Sequence, residues 1–239
     1  MIHLITYGNN RYTKAKKRLH ANALNTGWFD TITSYGPEDL DNEFKLKFEN
    51  ILKQPRGGGY WIWKSHIISK KLNEINNDDI LIYLDAGCFI NPGGKKRFDE
   101  YIELLNKSDE GIISFQIPAA IEKFYTTKEI FNYFNIYINS EIFNSGQIVG
   151  GIRIMKKNPN LINLINTEVQ TLDNAPLLFT DYYNKNQADY FRDNRHDQSI
   201  FSIIRKLGNP ILIPDETFFE PFGNEKSLAY PFWATRISG

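Results

Sequence analysis

Ile80-Leu81-Ile82-Tyr83-Leu84-Asp85-Ala86-Gly87 is the stretch on which the reading of the fold turns. Five apolar residues in a row, ended abruptly by a carboxylate, describe a strand buried on both faces at the centre of a sheet. Asp85 is thereby held at the carboxyl edge of that strand, and Gly87 leaves room for a ligand to approach the backbone. Towards the N-terminus, residues 2–6 form another short apolar run, followed by a turn and candidate N-cap at Tyr7-Gly8-Asn9-Asn10, and residues 30–35 a further strand. Residues 11–25, 43–52 and 60–73 carry helical patterns, the last broken by Asn76-Asn77-Asp78. In the first of these, Leu19 and Ala23 lie on one side and Lys14, Lys16, Lys17 and Arg18 on the other, a solvated basic face. Towards the C-terminus, residues 111–115 and 147–155 read as strands, 95–106, 160–172 and 195–207 as helices, and 186–194 and 217–239 as irregular, aromatic segments that suit lids or tails folded over a site. This alternation predicts an α/β fold with a mostly parallel central sheet flanked by helices. Ligands of such sheets sit outside the carboxyl ends of the strands, which directs attention to Thr6-Tyr7-Gly8 and Asp85-Ala86-Gly87.

The 239 residues fit one large domain, without internal repeats or low-complexity linkers. Lys+Arg and Asp+Glu, 28 each, cancel, so a sequence-independent grip on nucleic acid is excluded. With 41% hydrophobic and 23% charged residues the chain can bury enough apolar surface to fold. The aromatic share of 14% serves either the core or pockets for ring-shaped ligands. Cys88, the only cysteine, excludes an internal disulfide framework and a multi-cysteine zinc site, and fits a reducing compartment. Met1-Ile2-His3-Leu4-Ile5-Thr6 lacks the basic region of a signal peptide, and no apolar run approaches the ~20 residues that span a bilayer. The expectation is a cytoplasmic protein, at most peripheral to a membrane.

Four constellations bear on chemistry. Asp85 is either the ligand of a divalent cation that neutralises a diphosphate leaving group, or a cap on the next turn. Arg56-Gly57-Gly58-Gly59-Tyr60-Trp61-Ile62-Trp63-Lys64-Ser65 imitates a phosphate-binding P-loop, but Trp63 stands at the required second glycine and obstructs that reading. The three glycines read instead as a pliable loop before a helix, with Lys64 and Arg56 as phosphate or carboxylate contacts, or with a solvated lysine and tryptophans in the core. Gly150 and Gly151, inside the predicted strand 147–155, mark either a close approach or a bulge. Arg195-His196-Asp197-Gln198-Ser199 opens a helix: Asp197 suits its N-terminus, while His196, Asp197 and Gln198 together offer hydrogen bonds suited to sugar hydroxyls. His3, His20 and His66 read as structural.

In these residues and their order the chain resembles the GT-A class of nucleotide-sugar glycosyltransferases, particularly the small bacterial and viral enzymes that build surface polysaccharides. The resemblance rests on Leu4-Ile5-Thr6-Tyr7-Gly8, on Tyr60 to Lys64, on Ile82 to Gly87 where the family carries its Asp-x-Asp motif, on the glycine-containing strand from Gln147 to Ile154, and on His196-Asp197-Gln198. It implies a single Rossmann-like GT-A domain, with residues 1–115 as donor half and 116–239 as acceptor half. Thr6, Tyr7 and Gly8 would meet the nucleoside, and Arg56, Lys64, Tyr83, Ala86 and Gly87 the rest of the donor. Asp85 would hold Mn2+ or Mg2+, Gln147, Gly150, Gly151 and His196 would line the acceptor site, and Asp85, Asp197 and Gln198 would carry the chemistry. The partners implied are a nucleotide-sugar, a UDP-sugar first, and a glycan or lipid-linked oligosaccharide. If the reaction inverts, Asp197 deprotonates the acceptor; if it retains, Gln198 or Asp197 steadies the oxocarbenium-like centre, and the Asp-Gln pair leans towards retention. The sequence departs from the family at Gly87, where the second carboxylate is missing, and in residues 230–239, which hold no histidine to complete the metal site. That leaves Lys64 or Arg56 as cationic substitutes for the ion. Two other readings stay open: a nucleotidyltransferase of similar fold, and a non-catalytic glycan-binding protein.

Overall fold

The apolar run at 80–84 is a strand, β3 (Ile80–Leu84), and every one of its residues is buried. The structure, a computed structural model, describes residues 1–208 and 210–237. Around β3 lie β1 (Ile2–Tyr7), β2 (Thr31–Tyr35), β5 (Ile112–Ile121), β6 (Gly146–Ile148), β7 (Ile152–Lys156) and β8 (Ile211–Pro214), in one seven-stranded sheet. β4 (Phe89–Ile90) pairs separately with β9 (Phe232–Trp233). Side chains alternate across β3. Leu81 and Tyr83 join Ile5, Trp63, Ile67, Ile165 and Phe201 in one core cluster, while Ile80, Ile82 and Leu84 join Leu4, Leu19, Phe98 and Tyr101 in another. The helices Trp63–Glu74, Pro159–Asn174 and Asp197–Leu207 therefore cover one face, and Thr13–Thr26 and Lys95–Asn106 the other. Each such buried side chain contributes about 1.5–3 kcal/mol relative to exposure.

The sheet is mixed, which corrects the expectation of a mostly parallel one. β1 pairs in parallel with β2 and β3, and β5 with β8, whereas β3–β7, β5–β7 and β5–β6 are antiparallel. A strand buried on both faces is apolar throughout whichever way its neighbours run, so the pattern at 80–84 carried no direction. The strand expected at 147–155 is two: β6 and β7 both lie along β5, at Gln116↔Ile148 and Ile113↔Ile154, with Val149, Gly150 and Gly151 between them. Strand senses follow from these pairings: β1, β2, β3, β5 and β8 point one way, β6 and β7 the other. The carboxyl ends of β1, β3 and β8 and the amino end of β7 accordingly share one edge.

Helix boundaries shift for local reasons. The helix expected at 60–73 starts at Trp63, because Gly57 through Trp61 all have positive φ. That expected at 195–207 starts at Asp197, after His196 at φ 53. Residues 43–52 form two short helices, Asn42–Lys47 and Glu49–Leu52, parted at Phe48. The segment expected to be irregular from 217 onward contains the short helix Glu225–Leu228 and β9, which pairs Phe89↔Trp233 and Ile90↔Phe232 and so returns to the loop after β3. Its last two residues, 238–239, lie outside the described residues. No helix among the described residues is long and apolar enough to cross a membrane.

Candidate active site

At the shared strand edge opens a cleft of about 500 Å³, within the range of small-molecule sites. One wall begins at the end of β1. Tyr7 stacks on Trp63 with ring centroids 3.8 Å apart, and Gly8 is required because a Cβ there would stand 2.6 Å from Tyr12 Cβ. Gly57, Gly58 and Gly59 then turn the chain through left-handed conformations that only glycine adopts without strain. Trp63 Nε1 donates to Gly57 O at 2.9 Å, which ties this loop to the helix it precedes. Arg56 lines the same wall, but its guanidinium is held by Asp181 Oδ2 at 3.2 Å and Asp193 Oδ2 at 2.9 Å.

The floor is a line of alternating charges. Lys64, in the first turn of its helix and only 3% exposed, places Nζ 2.7 Å from Asp197 Oδ2 and 3.4 Å from Asp85 Oδ1, and donates to Gly150 O at 3.3 Å. Behind Asp197, Arg153 Nη2 stands 4.0 Å from Asp197 Oδ2, and Arg153 Nη1 donates to both oxygens of Glu168, at 2.9 and 3.0 Å. Arg153 also lies 3.7 Å above the Phe201 ring. Burial alone would push the Lys64 ammonium down, but the carboxylates of Asp197 and Asp85 outweigh it and hold its pKa above the ordinary lysine value. Tyr83 donates its hydroxyl to Asp85 Oδ1, and burial, with Asp85 beside it, raises its pKa well above the usual phenol range. Asp85 itself remains 42% exposed to the cleft.

The glycine pair between β6 and β7 serves both readings offered for it. It interrupts the strand, and it does so where site side chains come close: a Cβ on Gly151 would stand 2.4 Å from Asp85 Oδ2, and one on Gly150 would stand 3.0 Å from Gln198 Cβ. Gln198 Nε2 donates to Gln147 Oε1 at 3.1 Å, and Gln147 Nε2 donates to Glu122 Oε2 at 3.1 Å. Glu122 is in turn paired with Lys206 Nζ at 2.7 Å, so a second buried polar line braces Gln198 from below. His196 stacks on Tyr60 at 5.0 Å, and its Nε2 lies 2.9 Å from Asp181 Oδ1. Burial lowers its pKa despite Asp181, favouring the neutral imidazole at pH 7.

Of the residues expected at the site, Tyr7, Gly8, Arg56, Lys64, Asp85, Ala86, Gly87, Gly150, Gly151, His196, Asp197 and Gln198 line this one cleft. Thr6, Tyr83 and Gln147 do not. They point into the protein, at 1%, 0% and 0% exposure, and Tyr83 and Gln147 act by bracing Asp85 and Gln198. Cys88 touches the cleft as a buried thiol whose pKa burial pushes up, and it packs there as a small hydrophobe. The far wall is Asp215 and Thr217 after β8, Phe218 and Arg236, the last three in the 217–239 segment read as a lid or tail over a site; sequence reasoning did not single out Asp215 and gave Arg195 no role. A signal for Asp215 existed, since Ile211-Leu212-Ile213-Pro214-Asp215 repeats the strand-then-aspartate pattern of β3. Burial raises the Asp215 carboxyl pKa against hydrogen bonds from Thr217 N at 2.9 Å and Oγ1 at 2.6 Å.

A divalent cation at Asp85 needs several hard oxygen donors turned towards it. Asp85 brings one carboxylate, whose Oδ1 already accepts from Tyr83 and faces the Lys64 ammonium at 3.4 Å. No group of three His, Cys, Asp or Glu side chains fit to hold a metal occurs among the described residues. A dication in this position would sit against like charge with a depleted donor set, and the residues as arranged do not fit Mn2+ or Mg2+ there.

No family model matches the sequence, and no curated protein does. Among solved structures, the chain is similar to a glycosyltransferase involved in the glycosylation of the major capsid of PBCV-1, at 14% identity over 97% of this chain and 91% of that one, with a TM-score of 0.53. It is more loosely similar to apo mouse xyloside xylosyltransferase 1, at 13% identity over 91% and 87% of the two chains and a TM-score of 0.46. The first likeness is one of fold: an α/β domain with a central mixed sheet flanked by helices.

Proposed function

We propose that this chain is a glycosyltransferase that moves a sugar from a nucleoside-diphosphate donor, a UDP-sugar first, to a hydroxyl of a glycan or lipid-linked oligosaccharide. The observation that carries this reading is the convergence of four separate sequence features, the β1 loop, Lys64, the Asp85 loop and Asp197-Gln198, on one cleft at the carboxyl ends of the strands. The shared fold with a solved glycosyltransferase agrees with it. Residues 1–115 supply the β1 loop, Lys64 and Asp85, and so form the donor half; residues 116–239 supply Gly150, Gly151 and Gln198, and form the acceptor half.

In this reading the nucleoside lies along the Tyr7-Gly8 wall and the transferred sugar lies over the floor. Catalysis is chiefly positioning together with electrostatic stabilisation of the departing diphosphate. Lys64, desolvated and held between two carboxylates, fixes Asp85 and Asp197 in place for that task. A general base needs a lone pair within reach of the acceptor proton. Asp197 is only 7% exposed and its Oδ2 is 2.7 Å from Lys64, which supports a role in holding Lys64 rather than in deprotonation, and with Gln198 beside the sugar agrees with the lean towards retention.

The test is to incubate the protein with a panel of nucleotide-sugars, with and without glycan acceptors, and to follow release of the nucleoside diphosphate. Release from one donor, increased by an acceptor, is the expected result. Absence of turnover with every donor, together with glycan binding, would instead favour a non-catalytic binding protein. Release of inorganic pyrophosphate from nucleoside triphosphates would point to nucleotidyl transfer.

A further inference from the structure

The rim of the cleft holds two guanidinium groups that the site so far leaves without a task. Arg56, Arg97, Arg153 and Arg205 each have a carboxylate within 4.0 Å. Arg195 and Arg236, which also line the cleft, have none among the described residues. Each is held in place by other means. The Arg195 guanidinium lies 3.8 Å from the centre of the Tyr125 ring, and its backbone N–H donates to Ser199 Oγ at 3.1 Å. Arg236 sits at φ 56 in the tail that crosses the Asp85 loop, where Thr235 Oγ1 and Ile237 N both donate to Gly87 O, at 2.6 and 3.1 Å. Its guanidinium is 5.5 Å from the Phe218 ring.

Both residues line the one cleft. Burial, and the positive charge of Arg236, both lower the Arg195 pKa. Tyr125 and Asp193 partly offset them, but the Asp193 carboxylate already pairs with Arg56; the Asp215 carboxylate feels the charge of Arg236, which lowers its pKa against the effect of burial. Two guanidinium groups on one cleft, held by aromatic rings and a backbone strap, present more positive charge than the single Asp215 carboxylate offsets, and a guanidinium fork matches phosphate oxygens bidentately.

We propose that Arg195 and Arg236 form a clamp for a diphosphate ester, which supplies from the rim the positive charge that the floor, with Lys64 already against Asp85, has no site to take from a divalent ion. The proposal rests on the donor reading above for its choice of the donor's diphosphate; a prenyl diphosphate from a lipid-linked acceptor offers the same chemistry.

The experiment is isothermal titration of the full chain in EDTA with inorganic pyrophosphate, UDP, uridine and farnesyl diphosphate. It uses the wild type, R195Q, R236Q and the charge-preserving R195K, with the thermal midpoint of each variant as the control for folding. The expected result is metal-free binding of pyrophosphate and UDP, weakened about tenfold or more by R195Q or R236Q, as loss of a charge-assisted contact implies. Uridine affinity stays unchanged and R195K retains part of the lost affinity. UDP binding that is indifferent to both arginines, or that requires Mn2+, overturns the clamp while leaving the donor reading in place. Arginine-dependent pyrophosphate binding without added affinity for UDP supports the clamp and removes the donor reading. Tighter binding of farnesyl diphosphate than of UDP, with the same arginine dependence, supports the clamp and assigns it to the acceptor.

Discussion

The floor and the rim of the cleft solve the same electrostatic problem in opposite ways. On the floor every charge has a counter-charge: Glu168, Arg153, Asp197, Lys64 and Asp85 alternate in sign, and the first four are at most 7% exposed. On the rim Arg195 and Arg236 have aromatic neighbours and no ion pair among the described residues. Access to the cleft explains the difference. A charge removed from water must be neutralised by its own protein, whereas one facing the cleft can be left to solvent or to a ligand. Paired charges hold geometry, and unpaired ones hold binding capacity.

That contrast can be broken first by stability. Arg153→Met would leave Glu168 and Asp197 buried with reduced compensation, and loss of one partner of a buried pair costs about 3–5 kcal/mol. At roughly 2–4 °C per kcal/mol for a domain of this size, thermal unfolding should drop by about 6–20 °C. A shift no larger than that of a rim variant would erase the distinction. Next comes chemistry: with the Asp85 carboxylate facing the positive charge that develops on the transferred sugar, Asp85→Asn should lower turnover by ~10²–10³-fold, the usual effect of removing one preorganised electrostatic group, with little change in unfolding midpoint. Unchanged turnover in a donor-release assay would remove Asp85 from the mechanism. Gly151→Ala is gentler on the fold than Arg153→Met, about 1–3 kcal/mol from overpacking, but its Cβ meets Asp85 Oδ2 and should carry much of the Asp85→Asn loss of turnover.

The pH dependence sharpens the comparison. Because the folded-state pKa of Lys64 is raised, the stability it contributes is fully present below the ordinary lysine value of about 10.4 and is lost as pH rises through its folded value. Denaturant midpoints at alkaline pH should therefore fall more steeply in the wild type than in Lys64→Met. Parallel curves would mean that the ion pairs on the floor do not hold Lys64. The smallest effect belongs to the rim: Arg236→Gln, at an exposed position without an ion pair among the described residues, should stay within about 0.5 kcal/mol of wild type. A larger loss in chemical denaturation would show that Arg236 holds the tail in place rather than waiting for a ligand.

Legibility followed the range of each interaction. Asp85 was readable because a buried strand ending in a carboxylate is a local pattern, and Lys64, Asp197 and Gln198 were readable because each follows a helix-start signal. Tyr83 and Gln147, expected to line the site, instead lie buried beneath it and hydrogen-bond to Asp85 and Gln198, because which strand residues reach a cleft is set by distant neighbours. The break of the strand expected at 147–155 was visible as Gly150-Gly151, but its cause, the approach of Asp85 and Gln198, lies in distant segments.

By itself the sequence determined the core strand, the helices that flank it and the chain positions that meet at the cleft, because these depend on apolar period, caps and breaks read over a few residues. Tertiary structure alone decided the direction of the strands, the pairing of Lys64 with both Asp85 and Asp197, and the return of the C-terminal tail that sets Arg236 over Gly87. Those outcomes depend on which distant segments meet, and a charge or a strand carries no mark of its eventual partner until the chain closes around it.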